Sequence, residues 1–157
     1  MSHSMETPIS RRTLFSEAGR LSVAAALVGG FIKIPEAHAD INDEIKKAMG
    51  SSDVDYNQVT IDAPIIAENG KVVPLKISVD HPMDANNYIE SIALIIDNNP
   101  TPLIATFTLT PKNGKAQVAT RVKMGKTSNV RAIARTNTGK LLGAISEVKV
   151  TIGGCGG

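Results

Sequence analysis

Tryptophan is absent from this chain of 157 residues, which carries only two tyrosines and three phenylalanines. With so few rings there is little on which bases or sugars could stack, so no single-strand nucleic-acid groove is expected. A single cysteine excludes an internal disulfide framework, a CxxC redox pair and a cysteine-built zinc site. Neither sign of charge is in excess. Seventeen basic residues stand against fifteen acidic ones, a net +2, where a dedicated nucleic-acid binder carries a basic surplus. No apolar run reaches the roughly 20 residues needed to cross a bilayer. What remains, 42% hydrophobic at this length, suits one ordinary globular domain.

Residues 1–39 read as an export signal. Ser10-Arg11-Arg12-Thr13-Leu14-Phe15 places paired arginines ahead of a mild apolar run, Leu21 to Ile32, broken by Gly29-Gly30 and closed by Lys33. Pro35 then precedes Ala37-His38-Ala39, a small-x-small cleavage site. Arg11 and Arg12 with a weak apolar core resemble a twin-arginine signal, which carries folded cargo to the periplasm. Leu14 before Phe15 inverts the usual order of that pair. A general secretory signal with a chance arginine pair, or an uncleaved anchor, is the other reading. Removing 1–39 leaves a body long enough to bury a core without disulfides, and with no membrane span.

The body opens on a helical pattern over Asp40–Gly50, with Ile41, Ile45 and Met49 on one face, acids early, lysines late and Gly50 to stop it. Beyond Gln58 the period becomes two. Leu75-Ile77-Val79, Leu103-Ala105-Phe107-Leu109, Val118-Thr120-Val122-Met124 and Val148-Val150-Ile152 each alternate with a second set, the pattern of half-buried strands. Ser91–Ile96 is more continuously apolar, as a central strand would be. Turns are expected at Asn69-Gly70, Asn98-Asn99-Pro100, Lys112-Asn113-Gly114 and Asn137-Thr138-Gly139. The expected fold is all-β: an immunoglobulin-like antiparallel β-sandwich over 40–152, with a short N-terminal helix and a flexible C-terminal arm, 153–157.

Catalytic constellations are scarce, and neither a catalytic residue nor a metal site is expected. His81 is the one histidine beyond the leader, in a loop, His81-Pro82-Met83-Asp84. A Cys–His pair would need the tail to fold back onto that loop. Gly125-Lys126-Thr127 imitates the end of a phosphate-binding loop, but the required glycine five residues earlier is Thr120. A solvated strand face is the plain account of Arg121, Lys123 and Lys126, and partner contact is the other.

The tail holds the remaining chemistry. The last strand runs directly into Gly153-Gly154-Cys155-Gly156-Gly157. Gly153, Gly154, Gly156 and Gly157 make a slim arm, free in backbone conformation, that could carry the Cys155 thiol into a narrow channel. No neighbour activates that thiol, so activation is expected from whatever enzyme receives it. A tether joining two chains by an intermolecular Cys155 disulfide fits the same residues in an oxidising compartment. The two readings are a covalent carrier and an exported structural or adhesive sandwich.

Ala67-Glu68-Asn69-Gly70, Glu90-Ser91-Ile92-Ala93-Leu94, Asn99-Pro100, Arg121–Val130 and above all Val148–Gly157 resemble the SoxY family, sulfur carriers of bacterial thiosulfate oxidation. The resemblance implies that Cys155 is the site of covalent substrate attachment. A c-type cytochrome partner would join thiosulfate to it oxidatively. A manganese-dependent hydrolase would release sulfate, a molybdenum–haem sulfane dehydrogenase would oxidise the remaining sulfur, and a last hydrolysis would free the carrier. The haem, manganese and molybdenum belong to those partners, so this chain is expected to need no cofactor and to be no enzyme itself. It also implies a SoxZ-like companion, in a heterodimer or larger assembly, exported with the folded chain.

Overall fold

The computed structural model describes residues 40–153. Residues 1–39, where the sequence leads one to expect an export signal with Arg11 and Arg12, lie outside them, as do Gly154, Cys155, Gly156 and Gly157. The helical pattern forms α1, Ile41–Met49. Asp40 caps its start, accepting the Asn42 N–H at 2.9 Å, and Gly50 closes it at φ 81°, a left-handed turn that glycine makes without strain.

Among the described residues nine strands follow: β1 Val54–Asp55, β2 Val59–Asp62, β3 Ile66–Asn69, β4 Val73–Val79, β5 Ile89–Ile96, β6 Leu103–Thr108, β7 Gln117–Val122, β8 Ser128–Thr136 and β9 Leu141–Ile152. A larger sheet runs β1-β9-β8-β5-β6, and a smaller one β2-β4-β7. Pairing is antiparallel except at one edge, where β1 and β3 lie parallel to β9 at its two ends. That edge is set by alternation along β9. The Lys149 N–H reaches the Ile65 carbonyl, whereas the Val150 N–H points the other way, to Thr127 beside β8.

The inner faces of the two sheets form the main core. Val73, Leu75, Ile77 and Val79 of β4 meet Ile92, Leu94 and Ile96 of β5 and Val130, Ala132 and Ala134 of β8. With almost no rings to fill space, aliphatic side chains do the packing, each worth about 1.5–3 kcal/mol when a large one is fully buried. The larger sheet is also covered outside. Ile45 and Met49 of α1 pack over Ala93, Ile95, Ile133 and Leu141. Burial on both faces explains why β5 reads as a continuous apolar run rather than an alternating one. Gly143 lets Val54 and Tyr56 close over β9: a Cβ there would stand 2.6 Å from Val54 Cγ1.

The sandwich and helix of the sequence reading are both present. Strand β8 is not among the strands expected from the sequence, β9 begins at Leu141 rather than near Val148, and the parallel pairing of β1 and β3 departs from a wholly antiparallel sandwich.

Candidate functional site

The root of the arm is tied down by hydrogen bonds from both sides. Val150 N–H donates to Thr127 Oγ1 at 2.9 Å. The Thr151 hydroxyl donates to the Glu68 carbonyl, also at 2.9 Å. The Gly70 N–H donates to the Ile152 carbonyl at 2.8 Å, while the Gly70 carbonyl accepts from Met124 N–H at 2.7 Å. Buried Gly70 thus couples the end of β9 to the exit of β7, one strand from each sheet. Gly153 then passes so close to the Gly125 carbonyl oxygen that a Cβ would collide with it. Expected only as the first link of a flexible arm, Gly153 is also required at a close backbone approach.

The segment that holds Gly153 is itself held. Asn99, only 5% exposed, donates through Nδ2 to the Lys123 carbonyl at 2.8 Å and accepts the Gly125 N–H on Oδ1 at 3.1 Å. Asn98 Nδ2 donates to the Thr127 carbonyl, and the Asn98 N–H to Ser128 Oγ, both at 2.9 Å. Next to this turn Arg131 grips Asp97 with two nitrogens, Nε at 2.7 Å and Nη2 at 2.8 Å. That hydrogen-bonded carboxylate favours the charged guanidinium and raises the Arg131 pKa. Gly125-Lys126-Thr127 is therefore a structural bracket for β9. Asn98, Asn99 and Thr127 were not singled out as site residues by sequence. Only a turn at 98–100 was legible, because the carbonyls these side chains reach leave no mark in a sequence.

His81 is not brought to the described root of the arm. It follows the far end of β4, whose seven residues span about 23 Å, whereas Gly70 precedes the near end. Its Nε2 lies 2.9 Å from Asn87 Oδ1, within its own loop. Arg121, Lys123 and Lys126 are exposed on β7 and the bracket. Among the described residues no group of three or more His, Cys, Asp or Glu could hold a metal ion. Among the same residues no helix is long and apolar enough to cross a membrane.

The SoxY family (sulfur oxidation protein SoxY) matches residues 45–155. This chain belongs to the SoxY family. Its solved relatives include the sulfur carrier protein SoxY from Chlorobium limicola f thiosulfatophilum. That structure is 32% identical with a TM-score of 0.60, over 70% of this chain and 90% of the other. The chain is thus a sulfur-oxidation protein of the carrier kind, and the sandwich is the SoxY fold. A superoxide reductase (neelaredoxin) from Ignicoccus hospitalis is similar over 60% of this chain and 80% of its own, with 24% identity and a TM-score of 0.54, a likeness of fold alone. No curated protein sequence matches the chain.

Proposed function

We propose that this SoxY-family chain holds sulfur intermediates on Cys155 in the periplasm and presents them to separate enzymes. The supporting observation is the bracketed root: β9 ends on a fixed point, Gly153 against Gly125, two residues short of the thiol. An anchored base with a glycine tip delivers a thiol to a repeatable place without enclosing it.

In this reading the Cys155 thiol loses its proton. Its sulfur bonds to the outer sulfur of thiosulfate, and two electrons pass to a c-type cytochrome partner, leaving a cysteine S-thiosulfonate. Water then cleaves the bond to the sulfonate in a manganese-dependent hydrolase, releasing sulfate and two protons and leaving a persulfide. A molybdenum–haem sulfane dehydrogenase oxidises that outer sulfur to a sulfonate with three waters, removing six electrons and six protons. A last hydrolysis returns the thiolate and a second sulfate. A SoxZ-like subunit accompanies the chain, and folded export through the twin-arginine route accounts for Arg11 and Arg12 in the leader. Every metal and haem sits in a partner.

Mass spectrometry of the protein purified from periplasm tests this. The tryptic peptide Val150–Gly157 is expected to carry reductant-labile sulfur adducts on Cys155. Cys155→Ser is expected to stop thiosulfate-dependent electron flow while fold and SoxZ binding persist. Unchanged flow would overturn the carrier reading, and a disulfide dimer as the working form would replace it with the tether.

A further inference from the structure

Strand register places a basic strip beside the arm's exit. On the small sheet Val73 pairs with Val122 and Pro74 with Arg121, and Lys76 with Ala119. Past the Val73–Val122 pair the Met124 N–H donates to the Gly70 carbonyl, one residue out of that register. Val72 and Lys123, the residues next to the Val73–Val122 pair, are both exposed. Inward residues of these strands, buried or half-buried, alternate with exposed ones, so Val72, Pro74, Lys76, Ala119, Arg121 and Lys123 share the outer face. Lys123 and Arg121 are about 7 Å apart along β7, and Lys76 continues the row across β4. This end of the row opens on an open groove of about 720 Å³ lined by Lys76, Arg121, Pro74, Pro64 and Asp62. Lys71 and Lys126 stand exposed in the two loops at the exit itself. The nearby carboxylates are Asp62, paired in register with Lys76, and Glu68. Val72 and Ile152, 60% and 67% exposed, lie in the same region. Unlike the outer face of the larger sheet, this one has no helix over it among the described residues.

The short reach of the arm decides what must cover this face. Gly153 is fixed, and Cys155 follows two residues later, so its Cα stands at most about 7 Å from that of Gly153. An enzyme working on the sulfur must bring its own surface close against the exit.

Resting on the carrier reading, we propose that the outer face of β4 and β7, from the exit through Lys123 and Arg121 to the Lys76 groove, docks the enzymes that act on Cys155. The surface that meets it on those enzymes is acidic around the mouth that admits the arm. Opposite charge speeds encounter and orients the strip, and Val72 and Ile152 give up their exposed area on contact.

The test is steady-state kinetics of the sulfate-releasing hydrolase on thiosulfate-loaded carrier in complex with its SoxZ-like subunit. Carrier bearing Arg121→Glu and Lys123→Glu is expected to raise KM at least tenfold at low salt, leave kcat unchanged and flatten the dependence on ionic strength. A charge-matched control, Lys112→Glu with Lys115→Glu at the opposite end of β7, is expected to leave KM within twofold. Circular dichroism and labelling of Cys155 by iodoacetamide, a neutral reagent, verify that each variant is folded and its arm free. The milder Arg121→Gln with Lys123→Gln replaces the reversal should that fail to fold. Equal KM in strip and wild type, equal losses in strip and control, or loss of the SoxZ-like subunit from the strip variant would each overturn the proposal. Cys155→Ser run in parallel separates the two claims. If it is turned over like the wild type the carrier reading fails, and if it is inert while the strip variant behaves as wild type only the docking face fails.

Discussion

The two sheets have inner faces of one kind and outer faces of opposite kinds. Both present Val, Ile, Leu and Ala to the shared core. Outside, the larger sheet lies under α1, with Ile95 and Ile133 as buried as anything in the protein. The smaller sheet shows Lys76, Ala119, Arg121 and Lys123 to solvent. The centre of the larger sheet, buried on both sides, serves as frame. Its neighbour gives up half its burial and keeps a face free. The arm leaves where the two are stitched together at Gly70, so the frame fixes the root and the open sheet flanks it.

The largest effect expected on this contrast is a core truncation set against a change on the open face. Leu94→Ala, in the middle of β5, removes a fully buried side chain and should cost about 2–5 kcal/mol. Lys76→Ala on the open face should stay within about 0.5 kcal/mol. Urea unfolding of both variants measures this. A Lys76→Ala cost approaching that of Leu94→Ala would mean that the open face is structural after all.

Next comes the bracket. Asn99→Ala leaves the Lys123 carbonyl and the Gly125 N–H without their partner in a buried place, a loss of about 1–3 kcal/mol. It should also loosen the exit. A spin label on Cys155 is expected to report faster, broader motion in Asn99→Ala than in a core variant of equal stability such as Val130→Ala. Equal spectra would show that Asn99 acts on stability alone.

Gly125 and Gly153 sharpen the same point at smaller cost. A Cβ on Gly125 meets nothing within 4 Å, whereas one on Gly153 collides with the Gly125 carbonyl. Gly153→Ala is expected to redirect the arm, changing turnover of the loaded carrier by partner enzymes with global stability held within about 0.5 kcal/mol. Gly125→Ala should change neither. Identical turnover by the two variants would remove the close approach as a reason for glycine at 153.

How far these features could be read in advance follows from where their causes lie. Strand β5 announced itself because two buried faces demand an unbroken apolar run, and α1 because one buried stripe repeats every four residues. Strand β8 did not. Its inward residues begin and end on Ser128 and Thr136, and its outward residues include Arg131 and Arg135, paired with Asp97 and Glu90. Such a strand is specified by partners on other strands rather than by its own alternation. The short β1 and β3 are likewise made by the edge of β9. Cys155 stood out for its chemistry and its setting among glycines. The bracket around its root stayed hidden because Asn99 and Thr127 work through backbone groups that every residue has.

The smallest effect tests the end of β9 remote from the arm. There Lys140 Nζ lies 2.9 Å from Asp55 Oδ2, pinning β1 beside the start of β9 at Leu141. Hydrogen bonding from Lys140, then from Asn57, holds the Asp55 carboxyl below its ordinary value of 3.8. Because the folded pKa is the lower one, the unfolded chain takes up the proton first as pH falls. The contribution is therefore complete well above pH 3.8 and disappears as pH drops through the folded value. Both groups are solvated, so the effect should be slight and screened by salt. Asp55→Asn is expected to lower Tm slightly at pH 7 in dilute buffer, with the difference closing as pH falls below 3.8 and in about 1 M salt. On the proposed function, transfer through Cys155 should be untouched, since among the described residues no hydrogen bond or ion pair at this end reaches Gly70 or Gly125. A Tm difference that persists at pH 2.5 would assign the loss to packing of β1 on β9 rather than to charge. A change in transfer would mean that the two ends of β9 are coupled, and that the frame is less rigid than its burial implies.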